Sequence, residues 1–573
     1  MESEKRLIAA IALSVLILVV FMWLNPAPPP PEPLLAPTEQ ADPVRPAEGS
    51  GAASGATAEA PPTEAPAGAI AGEAEQQVEI DNGLFRVTFT NRGGRAVGYR
   101  LLHFKNDDGQ PLEVLPRYTE GMALPLGVDL DEASLAERFD QAVYHVEREE
   151  LPADEDNPSG ERLRFRWSDG QGLSAEKVFE FRTGSWFVQV SAEVLDRGRR
   201  LPARIEIGPG FAAQESTTAH SNYYYAHQAL WNVGGRVTRE KSRKLEAEGG
   251  FSGPVLWAGL EDQYFAALVV PHAPASLVHW RKTALTPIVG DVAAEEPEDV
   301  ATLSVSLGED GAAVFIGPKQ YTLLAEIGAD RQLDKAVWFS SQEWLFAIVK
   351  YLFLGLVWLH DNVARNWGMA IILATVVLRV VLFPVNQYSM VSMKRTQLQM
   401  QKLQPKIKAI RAKYKKAKDA QSRAKMNEEL MSLYREEGVN PMGGLSGCLP
   451  ILAQFPILIG FYNMLTVAVE LRGAPFVGWI RDLSREDPWY VLPVLMAVTM
   501  FAQQWLAMAK IKDPQQLQQQ RMMLFMPVVF GFICLQMPSG LVLYWFVNNL
   551  LGMGQQWLVN RHAGRLEAAA QKA

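Results

Sequence analysis

The stretch ILATVVLRVVLFP, residues 372–384, sets one arginine, Arg379, among Val, Leu and Ile. A guanidinium keeps its proton at any physiological pH, so this residue cannot trade protons. What it can do is attract and hold an anionic or polar group through charge and paired N–H donors. The surrounding run, 367–388, is long and apolar enough to cross a bilayer, and Arg379 stands twelve residues into it, about 18 Å deep. At that depth a charge costs at least about 2.5–3.5 kcal/mol, so a partner or water must accompany it. The five apolar runs 367–388, 449–469, 489–509, 522–537 and 541–559 contain no Asp or Glu. Arg379 apart, their polar residues are uncharged and include Thr375, Gln454, Asn463, Thr466, Thr499, Gln503, Gln504, Gln536, Tyr544, Asn548 and Asn549. Two arrangements satisfy the arginine. One is a positively charged, water-holding cavity lined by these groups; the other is a structural Arg bonded to neighbouring carbonyls and Thr375. A proton- or sodium-coupled carrier would ordinarily hold a carboxylate here, so that class is disfavoured.

Other chemistries find little support. The two cysteines, Cys448 and Cys534, fall in apolar runs expected near opposite membrane faces, too far apart for a disulfide and without metal-ligand neighbours. The eight histidines are scattered, with no HExxH, no P-loop and no Gly-x-Gly-x-x-Gly. No catalytic residue, metal or cofactor is expected, and no DNA or small-molecule substrate. The segment NYYYAHQALW, 222–231, is open to two readings: a sugar-binding or isomerase cleft using His220 and His227, or aromatic packing between sheets.

The elements that must position Arg379 divide the 573 residues, 48% of them hydrophobic, into a soluble part and a membrane part. Lys5 and Arg6 precede eighteen apolar or small residues, and NPAPPPPEP follows, which predicts an uncleaved signal anchor over 1–24. Residues 25–77 are rich in Pro, Ala and Gly and read as a disordered linker. From 78 to 325 the apolar period becomes two, as in KVFEFRTGSWFVQVSAEV, which predicts an antiparallel β-sandwich.

Beyond it, 342–361 reads as an amphipathic interfacial helix, and 367–560 as a five-helix core. Leaving 342–361 on the surface places 390–440, with thirteen basic and five acidic residues, in the cytoplasm, as the positive-inside bias requires. Six spans with both termini inside result, and 561–573 forms a cytoplasmic tail. Within 390–440, Leu403, Ile407, Ile410 and Tyr414, and then Met426, Leu430 and Leu433, step at helical spacing and predict an antiparallel hairpin. Its basic face, Lys402, Lys406, Lys408, Arg411 and Lys413, suits anionic lipid, ribosomal RNA or plain solvation. The fold class is therefore a multi-domain membrane protein: an α-helical transmembrane core of six spans, a large all-β sandwich outside the cytoplasm, and a cytoplasmic helical hairpin.

Several long stretches resemble the YidC-type membrane protein insertases of the Oxa superfamily in their six-span Gram-negative form. They are WGMAIILATVVLRVVLFP (367–384), LQPKIKAIR (403–411), GVNPMGG to CLPILAQFPILIGFYNML (438–465), VELRGAPFVGWIRDLSREDPWYVLP (469–493) and MPSGLVLYWFVNN (537–549). The resemblance implies an inner-membrane protein with a periplasmic β domain and a hydrophilic groove open to cytoplasm and lipid. Nascent membrane proteins would be its clients, with the Sec translocon, the ribosome and anionic lipids as partners. Arg379, Thr375 and Gln454 match groove positions, and a Tyr-Tyr pair common in the family is here Tyr544-Trp545. The rival functions are a polar-solute transporter and a membrane-tethered periplasmic carbohydrate-active domain.

Overall fold

The computed structural model describes residues 68–570 apart from 107, 120, 123, 155–156, 214–226, 290–291, 341, 415–419, 438–448 and 508–513. The expected anchor, most of the linker, His220 and Cys448 lie outside the described residues. Cys534 is a buried free thiol.

The β domain is built from antiparallel sheets: two pack on one another, and a minor third one includes Arg117–Tyr118 and Pro287–Val289. The smaller runs β1 (Gln77–Asp81), β2 (Phe85–Thr90), β3 (Arg95–Lys105) and β4 (Pro111–Glu113) in sequence order. The larger has fourteen strands. Its left half orders β5 (Val128–Asp129), β10 (Arg204–Ile207), β15 (Glu298–Ser306), β14 (Ala275–Leu285), β12 (Glu248–Glu261) and β13 (Phe265–Pro271). Its right half continues with β16 (Ala312–Pro318), β9 (Phe187–Asp196), β8 (Leu173–Arg182), β7 (Gly160–Ser168) and β6 (His145–Leu151), while β11 (Gln228–Val233) joins β12 from the side. Period-two burial is clearest on β8, where Leu173, Ala175, Lys177, Phe179 and Phe181 turn inward. The sheets meet through aromatic pairs such as Phe89 with Phe179 at 4.8 Å and with Phe165 at 5.8 Å. Trp231, at the end of the aromatic segment, stacks at 5.8 Å on Trp280 of the same sheet.

β13 and β16 are buried along their whole length, because both faces are covered. The small sheet covers one. Against the other lies a hydrophobic cluster that runs from Trp257, Leu268 and Phe315 through Tyr321, Leu333 and Phe339 into the helices. Polar groups fix the same junction: Glu261 bridges Lys319 and Arg239, each at 2.8 Å, and Gln263 Nε2 donates to the Thr466 carbonyl at 2.7 Å.

After a short helix, Tyr321–Ile327, seven longer helices follow among the described residues: α1 (Glu343–Asn362), α2 (Trp367–Lys413), α3 (Ala420–Glu436), α4 (Leu449–Val467), α5 (Val491–Ala507), α6 (Pro514–Ile533) and α7 (Ser539–Ala570). On α1, Leu345, Val349, Phe353 and Leu356 are buried while Trp344, Tyr351 and Trp358 are exposed on the opposite face. α1 and Trp367–Tyr388 are the two described helices long and apolar enough to cross a membrane. The Asn366 side chain accepts the Met369 N–H at 3.0 Å and so starts α2. Expected as a span and a separate hairpin arm, α2 is one unbroken 47-residue helix of about 70 Å, with Pro384 and Pro405 inside it. Its last turns pack on α3 through Leu403, Ile407, Ile410, Leu430 and Leu433, an antiparallel pair because Lys406 meets Glu437 and Lys413 meets Glu429.

Candidate functional site: a half-buried arginine and a polar seam

α7 packs along both α2 and α5, and Arg379 projects from α2 into that contact. Its Nε donates to the Asn548 side-chain oxygen at 2.7 Å, and its Nη2 donates to the Asn548 backbone oxygen, also at 2.7 Å. One residue therefore takes two guanidinium donors in a fork. No carboxylate pairs with the arginine among the described residues. Asn548 is neutral, so the positive charge is held in place without being cancelled.

The helix backbone admits the guanidinium because Gly552 stands one turn beyond Asn548. A Cβ there would fall 3.2 Å from Arg379 Nη2 and 2.4 Å from Gln503 Nε2. Below this point the α2–α7 contact stays polar. Gln555 Nε2 reaches the Phe383 carbonyl and Gln387 Oε1, both at 3.4 Å, and Asn386 and Gln556 are buried nearby. From Arg379 to Gln387 is eight residues, so this seam extends about 12 Å toward the α2–α3 hairpin. On α5, the Gln504 Oε1 is buried without a hydrogen-bond partner among the described residues.

The other expected groove residues take different places. Thr375 is fully buried, but its hydroxyl donates to the Ile371 carbonyl of its own helix at 2.7 Å and does not serve the arginine. Tyr544 is buried one turn before Asn548, with its ring stacked on Phe461 at 4.4 Å. Trp545 packs against Phe530 at 4.8 Å. Gln454 lies on α4, its side chain outside the described residues. In the hairpin, Lys402 and Lys408 are exposed, Arg411 is half-buried, and Lys406 and Lys413 are spent on Glu437 and Glu429. His227 is likewise spent: its Nδ1 meets the Phe211 carbonyl at 2.9 Å and its Nε2 meets Glu298 at 3.2 Å.

The role of Asn548 was not legible from the chain, where it is one amide among several. Gly552, Asn386, Gln387, Gln555 and Gln556 carried a weak signal in retrospect. Positions 548, 552 and 555, like 379, 383, 386 and 387, share one helix face.

A core of apolar helices around Arg379, joined to a β-rich domain, fits a membrane protein that carries a large extramembrane domain. Residues 77–354 match the family described as "YidC periplasmic domain" and residues 358–565 the one described as "60Kd inner membrane protein". The chain is 31% identical to the membrane protein insertase YidC of Geotalea daltonii, covering 97% of this chain and 99% of that protein. It is 32% identical to that of Syntrophus aciditrophicus over 86% of each. The crystal structure of YidC from Thermotoga maritima aligns over 85% of this chain and 98% of that one, with 15% identity and a TM-score of 0.30. The chain belongs to the YidC family of membrane protein insertases.

Proposed function

We propose that this chain moves apolar segments of nascent proteins from the cytoplasm into the inner membrane, with Arg379 as a transient host for the polar flank. The observation that carries the reading is the fork between Arg379 and Asn548, which holds a full positive charge at the head of a polar seam with no carboxylate against it among the described residues. Transfer of a sufficiently apolar segment into lipid is downhill, so no nucleotide is required. The barrier lies in the polar or acidic tail. A fixed cation in a low-dielectric site lowers it by giving that tail a counter-charge midway.

Six spans with both termini cytoplasmic, a periplasmic β domain and a cytoplasmic hairpin fit this role, because the seam then opens toward the side where clients emerge. The exposed Lys402 and Lys408 suit anionic lipid headgroups or ribosomal RNA. Cooperation with the Sec translocon accords with the same task. Trp545, packed against Phe530, then belongs to the lipid-side slide.

The test is photocrosslinking of ribosome-stalled membrane-protein chains to probes placed at Gln387, Gln504 and Gln555, with Val494 on the outer apolar surface as the comparison site. Adducts at the three seam positions that move with nascent-chain length are expected. Chains that react only at Val494, or nowhere, overturn the reading.

A further inference from the structure

The β domain carries a second polar site, remote in function from the seam. β10, β15 and β14 are neighbours, and their register sets Arg281 beside Thr302, with Glu206 and Thr283 on the same sheet face. That face is polar, whereas the opposite one carries Ile205, Ile207, Leu303 and Val305 into the core. A cavity of about 290 Å³ opens on it, closed on the far side by Arg95, Tyr118 and Asp140.

Charge inside this cavity is balanced. Arg95 bridges Asp140 at 2.7 Å and Glu206 at 2.6 Å, and Arg281 is the second cation, so two positive groups face two negative ones. The carboxyls of Glu206 and Asp140 are both pushed up by burial, which marks the cavity floor as poorly solvated. Arg95 Nε is buried with no hydrogen-bond partner among the described residues, although both its neighbours are acceptors. One wall is apolar, made of Leu285, Pro209 and the Tyr118 ring, whose hydroxyl donates to the Pro209 carbonyl at 3.3 Å.

An anion would meet Asp140 and Glu206, and a cation would meet Arg95 and Arg281; both would unbalance paired charges in a poorly solvated site. A fully apolar ligand would strand every polar group lining it. What remains is a neutral molecule bearing many hydroxyls, each able both to donate to a carboxylate and to accept from a guanidinium, with one C–H face for the apolar wall. The volume sits at the small end for ligand sites, enough for one ring. We propose that this cavity binds a neutral, monosaccharide-sized carbohydrate unit.

The test uses the full chain purified in detergent and titrated calorimetrically with D-glucose, D-galactose, N-acetyl-D-glucosamine and, for charge, inorganic phosphate and spermidine. Saturable one-site binding of at least one sugar is expected, weakened roughly tenfold or more by Arg281→Ala and by Thr302→Val. Both residues line the cavity from the strand surface, so the unfolding midpoint should hold; if Arg281→Ala shifts it, Thr302→Val decides. Absence of binding by all three sugars overturns the proposal. So does tighter binding of phosphate or spermidine than of any sugar, or sugar binding that neither substitution changes. None of these results bears on Arg379.

Discussion

Replacing Asn548 by Asp is the sharpest test of why Arg379 is where it is. The substitution changes almost no volume and leaves an acceptor where Nε now donates at 2.7 Å. It also puts a negative charge against the guanidinium. At an effective dielectric of about 20, a unit pair at 2.7 Å attracts by about 6 kcal/mol. Burying the new carboxylate costs several kcal/mol of that. A residue of even ~2 kcal/mol means that a client carboxylate competes for the arginine at a roughly 30-fold disadvantage. Asn548→Ala is gentler, since the backbone oxygen still takes Nη2, and a loss of roughly tenfold is expected from one missing charge-assisted bond. The assay is insertion of a single-span client with an acidic translocated tail into proteoliposomes, read as the initial rate of protease protection. The Asp variant should fall below the Ala variant, and a client with a neutral tail should lose less than the acidic one. If Asn548→Asp inserts the acidic-tailed client at the native rate, the charge is not being lent to clients. The arginine is then a structural tie between α2 and α7.

Three further outcomes follow from the same structure. Arg379→Lys keeps the charge but supplies no planar fork for Asn548, so insertion should drop roughly tenfold in the same liposome assay while Arg379→Ala abolishes it. Lys319→Met strips the buried Glu261 of one of its two partners and should destabilise the domain junction by about 3–5 kcal/mol, seen as a lowered midpoint in denaturant titration of the full chain. Lys177, fully inside the sandwich with Nζ donating to the Gly93 carbonyl, is pushed down to about 7 by burial. Between about pH 7 and 10 the unfolded chain therefore binds more protons than the native one. Stability from this group should rise with pH across that window, by at most ~1.4 kcal/mol per unit, and Lys177→Met should flatten the slope in unfolding midpoints measured at several pH values.

The periodicities were legible in the chain, and each sits on a face the fold then used. The two-residue alternation of β8 predicts a sandwich strand and its phase sets Lys177 on the face of Leu173, Phe179 and Phe181, but only the packed sheets show that face sealed from solvent. The stripe Leu403, Ile407, Ile410 predicts a hairpin, yet the continuity of α2 through Pro384 does not follow, because a proline on a well-packed helix can be carried where local preference would end it. Arg379 stands out by type against its neighbours, so its oddity needs no coordinates.

By itself the sequence determined which residues are apolar, at what spacing, and that one cation sits among them without an acid in the same runs. It thereby set the β-sandwich, the helical core and the family resemblance, because hydrophobic period and charge placement are local properties of the chain. Only the tertiary structure decided that Asn548, 169 positions away, is the partner. It also decided that Thr375 turns back to its own helix and that Gly552 leaves room for the guanidinium. Those choices depend on which helix faces meet, and a face chooses its neighbour only after the chain has packed.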